Sequence, residues 1–197
     1  MDTIAPFRIT VCGLEELVAV GEGRPSHVLS ILDPEWPVPE AFGQYGEHEK
    51  LELRFHDVIE TDTGDKAPMQ EHIDALLAFG RDLMAEPPAD AHLLVHCHAG
   101  ISRSTAAMSL ILAQGLPDVP AEAILAEVLR IRDKAWPNLR MLEMGDATLG
   151  RDGSLPQAAH AIYRRQIERR PFLWEFMHNA NRKRELATTT KPPEATA

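Results

Sequence analysis

The chain has 197 residues, a formal net charge of −10 and two cysteines. That length accommodates one domain, or one domain with an appendage, and can bury a sizeable core. The acidic balance argues against a nucleic-acid partner, no apolar run is long enough to span a membrane, and Met1-Asp2-Thr3-Ile4-Ala5-Pro6 lacks the basic-then-apolar order of a secretory leader, so none is expected.

In chain order, Arg8 to Cys12 reads as a strand, and Leu14 to Val20 as a short helix opened by Gly13. Gly21 to Pro25 is a turn, and Ser26 to Leu32 a second strand. Asp33-Pro34-Glu35-Trp36-Pro37-Val38-Pro39 carries three prolines, which remove donors and fix φ, so no regular element is expected there. Leu51 to Phe55 alternates like a half-buried strand, and His56 to Lys66 is a polar loop. Helical spacing runs from Met69 to Met84 and stops at Glu86-Pro87-Pro88-Ala89-Asp90. A strand at His92 to His96 leads through a short loop to a helix ending near Gly115. Further helices are expected at Pro120–Arg132, Leu139–Thr148, Leu155–Arg169 and Phe172–Arg184, the last two split at Pro171. Strands separated by helices predict an α/β fold with a central, mostly parallel sheet of four to five strands flanked by helices.

The stretch His96-Cys97-His98-Ala99-Gly100-Ile101-Ser102-Arg103-Ser104 carries the chemistry. A loop between a strand end and a helix start turns several N–H groups toward one spot, and the helix dipole adds positive potential there. Such a nest holds a tetrahedral oxyanion, and Arg103 adds a forked grip on it. Cys97 lies beneath the anion in a field that favours thiolate, the layout of a cysteine nucleophile that attacks phosphorus. Gly100 stands where the turn calls for positive φ. The bland alternative is a buried structural cysteine in an ordinary strand-to-helix turn.

His96-Cys97-x-x-Gly100-x-x-Arg103-Ser104 resembles the signature of the cysteine-dependent protein tyrosine phosphatases, and the Gly100-Ile101-Ser102-Arg103-Ser104 ending resembles their compact dual-specificity branch. Weaker similarity extends from about Arg24 to about Leu142. The resemblance implies a phosphotyrosine protein phosphatase-like fold, with the catalytic part at residues 1–150. It implies hydrolysis of phosphotyrosine, and of phosphoserine or phosphothreonine monoesters, through a phosphocysteine, with Cys97, Arg103 and Ser104 in catalysis. His98, Ala99, Gly100, Ile101, Ser102 and Arg103 would then bind the substrate, a phosphorylated protein or a small phosphomonoester. It further implies a general acid on a loop upstream of the cysteine. Asp57, after Arg54-Phe55, fits best, with Asp62 and Asp65 as alternatives because the loop is longer than in compact members.

Ser104 has two readings, a hydrogen bond to the sulfur or a helix-start cap. His96 either braces the loop or is a satisfied core histidine, and His98 is expected at the pocket rim. Trp136-Pro137-Asn138 resembles a segment that supports the loop in compact phosphatases. Cys12 reads as a small core residue rather than a partner for an oxidised Cys97. With two cysteines and no zinc spacing, a reducing, cytoplasmic setting is expected, without metal or other cofactor.

Residues 151–185 read as a helical extension packed on this domain, and 186–197 as a disordered tail. Charge is uneven: residues 1–159 balance to −14 and residues 160–197 to +4. The favoured reading puts the arginines of the extension on a solvated face paired with the acidic body; the other is an acidic partner or a membrane surface. Two rival functions remain: a catalytically silent phosphate-binding module, and a thiol enzyme like rhodanese or arsenate reductase.

Overall fold

The computed structural model describes residues 3–62, 64–85 and 91–192. Four strands, β1 (Arg8–Cys12), β2 (His27–Leu32), β3 (Glu49–Arg54) and β4 (His92–His96), form one sheet in the order β1-β4-β2-β3. Every pairing is parallel, so all four carboxyl ends lie on one side. β2 and β4 are inner strands buried along their whole length, which is why they read as continuous apolar runs rather than alternating ones.

The pleat sorts the side chains onto two faces. Leu29, Ile31, Leu93 and Val95 join the larger core, under α2 (Gln70–Ala85), α3 (Arg103–Gly115), α4 (Ala121–Ile131), α5 (Leu139–Leu149) and α6 (Ser154–Arg169). Val28 and Leu94 point the other way, toward Leu17 of α1 (Leu17–Gly21), Phe42 of the Glu40–Gln44 turn and Tyr45, which follows it. α3 is buried from Arg103 to Ala113, and a Cβ on Gly145 of α5 would come within 2.3 Å of Leu110, so these two helices meet closely. No helix among the described residues is long and apolar enough to cross a membrane.

The start of α6 is held by Asp146 of α5, whose carboxylate accepts from the N–H groups of Gly153 and Leu155 at 2.5 and 2.8 Å. Its Leu155, Ala159, Ile162 and Tyr163 enter the same core as the sheet. The helix expected from Phe172 to Arg184 is shorter: α7 spans Phe172–Asn179. Asn181 takes φ 55, and the Arg182 N–H donates to the Met177 carbonyl at 2.9 Å. That six-to-one bond past a left-handed asparagine ends a helix, because it satisfies the last carbonyls and turns the chain away. A 3-10 turn at Lys183–Leu186 follows, and Leu186 is buried in the core. The expected helix stop at 86–90 and the end of the expected tail, 193–197, lie outside the described residues.

Candidate active site

Because the sheet is parallel, the residues that follow β2, β3 and β4 converge at its carboxyl edge, where α/β sheets place ligands. β4, between β1 and β2, delivers Cys97, and α3 starts six residues later at Arg103. The intervening carbonyls are all tied outward. His98 O accepts from the Leu14 N–H at 2.9 Å, Gly100 O from Arg132 Nε at 2.9 Å, and Ile101 O from the Trp136 N–H at 2.9 Å. Arg132 Nη2 also reaches Ala99 O at 3.2 Å, and Arg132 is itself held by Glu16 at 2.6 Å. In a trans peptide the N–H opposes the C=O, so anchoring the oxygens on the outside turns the N–H groups inward. Gly100 has φ +66, as its place in the turn demands, and a Cβ there would lie 2.4 Å from the Cys12 carbonyl carbon.

Cys97 is buried, with Sγ 3.3 Å from Ser104 Oγ. Of the two readings for Ser104, the geometry gives the contact with sulfur. His96 is fully buried, its Nε2 2.8 Å from Ser30 Oγ and its Nδ1 3.3 Å from Cys97 O, so it links β2 to the start of the loop. Burial pushes its pKa down to about 4, and it is neutral. Burial likewise pushes the Cys12 thiol up to about 12, which suits a packed core cysteine.

Arg103 is buried and held at one nitrogen: Nη1 donates to Asp33 Oδ1 at 2.6 Å and to the Phe55 carbonyl at 2.6 Å. Its Nε is buried without a hydrogen-bond partner. A guanidinium oriented through one nitrogen, with a donor left over, is prepared to grip an oxyanion. His98 lies at the rim, its ring packed at a tilt against Trp36 with centroids 4.4 Å apart, and its Nε2 accepts from the Asp33 N–H at 3.3 Å.

Asp57 faces the same pocket, a cavity of about 280 Å³ that also has Cys97, Arg103, Ile101 and Met177 in its wall. Neither Asp62 nor Asp65 lines it; Asp65 lies 3.9 Å from His56. Asp57 Oδ1 accepts from Ser102 Oγ at 2.7 Å and from Asn138 Nδ2 at 2.9 Å, and lies 3.3 Å from Arg182 Nη1. Burial would raise its pKa, but the charges of Arg182 and Arg103, with the two donors, outweigh burial and hold the carboxyl below its ordinary value.

The favoured reading of the basic extension holds for part of it. Arg169 pairs with Asp133 at 2.6 Å, and Arg184 with Glu60 and Glu143 at 2.8 and 2.5 Å. Arg182 departs from it: this side chain is buried and faces the pocket. The turn at Asn181 reverses its direction, and buried Glu185 compensates its charge. Asp33, Arg132, Glu16 and Arg182 were not legible as site residues. The position of Asp33, directly after an inner strand of a parallel sheet, was the one available signal. Asn138 carried a sign in the Trp136-Pro137-Asn138 segment, whose backbone and side chain do brace the loop and Asp57.

This sheet order, loop and helix layer make the fold that of the compact cysteine-dependent phosphatases, of the dual-specificity type. The phosphatase domain of Yvh1 from Chaetomium thermophilum superposes with a TM-score of 0.54 at 19% identity, over 78% of this chain and 96% of that one. Human DUSP28 gives 0.54 at 16% identity, over 77% of this chain and 99% of its own, and PTPMT1 in complex with PI(5)P gives 0.54 at 17%, over 76% and 94%. No protein-family model and no curated protein matches the sequence.

Proposed function

We propose that this chain hydrolyses phosphate monoesters through a phosphocysteine intermediate, with phosphotyrosine as the preferred class. One observation carries the reading: Cys97, a guanidinium with an unpartnered buried Nε, and a carboxylate line a single pocket. Cys97 Sγ attacks phosphorus, the P–O bond to the leaving group breaks, and Asp57 supplies that oxygen with a proton. Water then attacks phosphorus, the S–P bond breaks, and Asp57 takes the water's proton. Arg103 and the loop N–H groups neutralise the equatorial oxygens, and Ser104 donates to the departing sulfur. A phosphate dianion in the loop offsets the field of Arg103 and raises the pKa of Asp57, so the acid form becomes accessible in the complex. Ile101, Leu173, Phe176 and Met177 form an apolar wall suited to an aryl ester. The loop offers no lysine at positions 98, 99, 101 and 102 for a polyanionic headgroup.

A second reading is a phosphate-binding module without turnover, favoured by one fact: the resting pocket holds Asp57 as a carboxylate. Phosphate release from para-nitrophenyl phosphate and from a phosphotyrosine peptide, with EDTA present, separates the two. The enzyme reading expects turnover, its loss in Cys97→Ser, and a drop of roughly a hundredfold or more on the peptide in Asp57→Ala. Tight phosphate binding without turnover in the unmodified chain would leave the module; full activity in Cys97→Ser would remove the covalent route.

A further inference from the structure

Arg182 lies outside the loop motif, on the segment that follows α7, and no step of the cycle above uses it. Its position is nonetheless tightly specified. The left-handed Asn181 and the bond from the Arg182 N–H to Met177 O aim the residue inward. Its side chain is 7% exposed. Nε and Nη2 donate to the two oxygens of Glu185 at 2.7 and 2.6 Å. Glu185 is fully buried, and Trp136 Nε1 and the Leu139 N–H donate to it at 2.6 and 3.1 Å. The guanidinium is therefore pinned along one edge. Its remaining contacts run toward the site, from Nη2 to Ser102 Oγ at 2.9 Å and from Nη1 to Asp57 Oδ1 at 3.3 Å. Ser102 Oγ in turn donates to Asp57, so arginine, serine and aspartate close a ring of contacts.

We infer that Arg182 is a positioning residue that keeps Asp57 ionised and in place over the pocket, and thereby favours the step in which that carboxylate takes a proton from water. The inference rests on Cys97 and Asp57 acting as proposed above. A buried arginine that only neutralised Glu185 would have no need to share Ser102 with Asp57. Other groups also act on Asp57. Arg103 and His98 stand on the loop side, the neutral donors Asn138 and Ser102 touch it, and Tyr163 of α6 and Glu185 lie beyond. Among them Arg182 supplies the largest opposing charge to the cost of burial. That charge acts in opposite senses on the two half-reactions. It disfavours the acid that protonates a poor leaving group, and it favours the base that activates water.

The test is rapid-mixing kinetics with para-nitrophenyl phosphate, whose nitrophenolate leaves without needing a proton, together with the pH dependence of kcat. Two variants remove the charge: Arg182→Met, and Arg182→Met with Glu185→Gln, which also removes the buried Glu185 charge that Arg182 compensates; urea unfolding of each shows which is folded. In both, hydrolysis of the phosphocysteine slows roughly tenfold and an initial burst of nitrophenol approaches one equivalent per site. The ascending limb of kcat, which reports Asp57 losing its proton, moves to higher pH. Arg182→Lys keeps a cation there and restores most of the rate. A folded double variant with no burst and an unmoved limb overturns the role of Arg182, provided Asp57→Asn abolishes the limb. If Asp57→Asn leaves the limb unchanged, the acid–base reading itself fails and the role of Arg182 falls with it.

Discussion

Arg132 holds Gly100 from behind: its Nε donates to the Gly100 carbonyl at 2.9 Å, on the side of the loop away from the pocket. The same guanidinium is paired with Glu16, whose carboxylate also accepts from the Gly13 N–H at 2.6 Å. The hydrogen bond from Arg132 is the main reason that the Glu16 pKa is lowered to about 2. A side chain with no place in the motif thus fixes which way the loop peptides face. In Arg132→Met the Ala99 and Gly100 carbonyls lose their anchor, and the peptides between them can flip. The expected result is a fall in kcat/KM of roughly tenfold or more, with competitive inhibition by inorganic phosphate weakened in proportion, because both report the same N–H groups. A variant with unchanged phosphate inhibition would show that the loop holds its shape without Arg132.

Gly100 is the least replaceable position in the loop. Alanine there would need φ +66, and its Cβ would meet the Cys12 carbonyl carbon at 2.4 Å. Cys12 cannot retreat, since it pairs with His96 across β1 and β4. Left-handed strain and overpacking together predict a loss of about 2–4 kcal/mol in Gly100→Ala, measured by urea unfolding, with activity lost even where the protein remains folded. A loss below about 0.5 kcal/mol would mean that the loop and the Cys12 backbone can part without cost.

What the sequence disclosed, and what it withheld, follows from the range of the interactions. β1 and β4 were legible to the residue because both signals are local: the inner strand β4 is an apolar run, and the edge strand β1 alternates, with Ile9 and Val11 between Arg8, Thr10 and Cys12. Cys97, Arg103 and Ser104 were legible because one loop supplies all three. Asp57 was narrowed to three aspartates by its place after β3, and only the sheet's geometry brings one of them to the pocket. Arg182 was misread because helical spacing continues through it, while a single asparagine in the left-handed region decides that the helix stops and the side chain turns inward. Asp33 and Arg132 act across 70 and 32 residues of sequence on Arg103 and Gly100, a separation at which periodicity carries no information.

Asp33 sets both the direction and the charge of Arg103, and the two roles can be divided. Asparagine at this position keeps an oxygen for Nη1 and removes the negative charge. Asp33→Asn should therefore bind inorganic phosphate or vanadate severalfold more tightly, since the guanidinium no longer shares its charge with a carboxylate 2.6 Å away. Asp33→Ala loses the acceptor as well, and only the Phe55 carbonyl continues to hold Nη1. It should bind phosphate less well than the asparagine variant. Equal affinities in the two variants would mean that charge alone, and not orientation, passes from Asp33 to Arg103.

His96 predicts an acid limit to stability. In the fold it is buried and neutral, accepting from Ser30 Oγ at Nε2 and facing the Cys97 carbonyl through Nδ1. Its pKa is about 4 against an ordinary 6.5, with burial as the main cause. Between those two values the unfolded chain takes up a proton that the folded one refuses, so stability falls as pH drops through the window and is insensitive to His96 above it. The full difference corresponds to about 3 kcal/mol. Burial also lowers the pKa of His72, His92, His98 and His160, so they add to the trend with the same sign. Urea midpoints for the unmodified chain and for His96→Asn, measured at about pH 7 and about pH 5, isolate this one residue. The variant is expected to be less stable at neutral pH, because it loses the brace between β2 and the loop, yet to lose about 1–2 kcal/mol less on acidification. Parallel losses in the two proteins would show that His96 takes up its proton in the folded state, and the link from Ser30 through His96 to the Cys97 carbonyl would then have to survive with a charged ring.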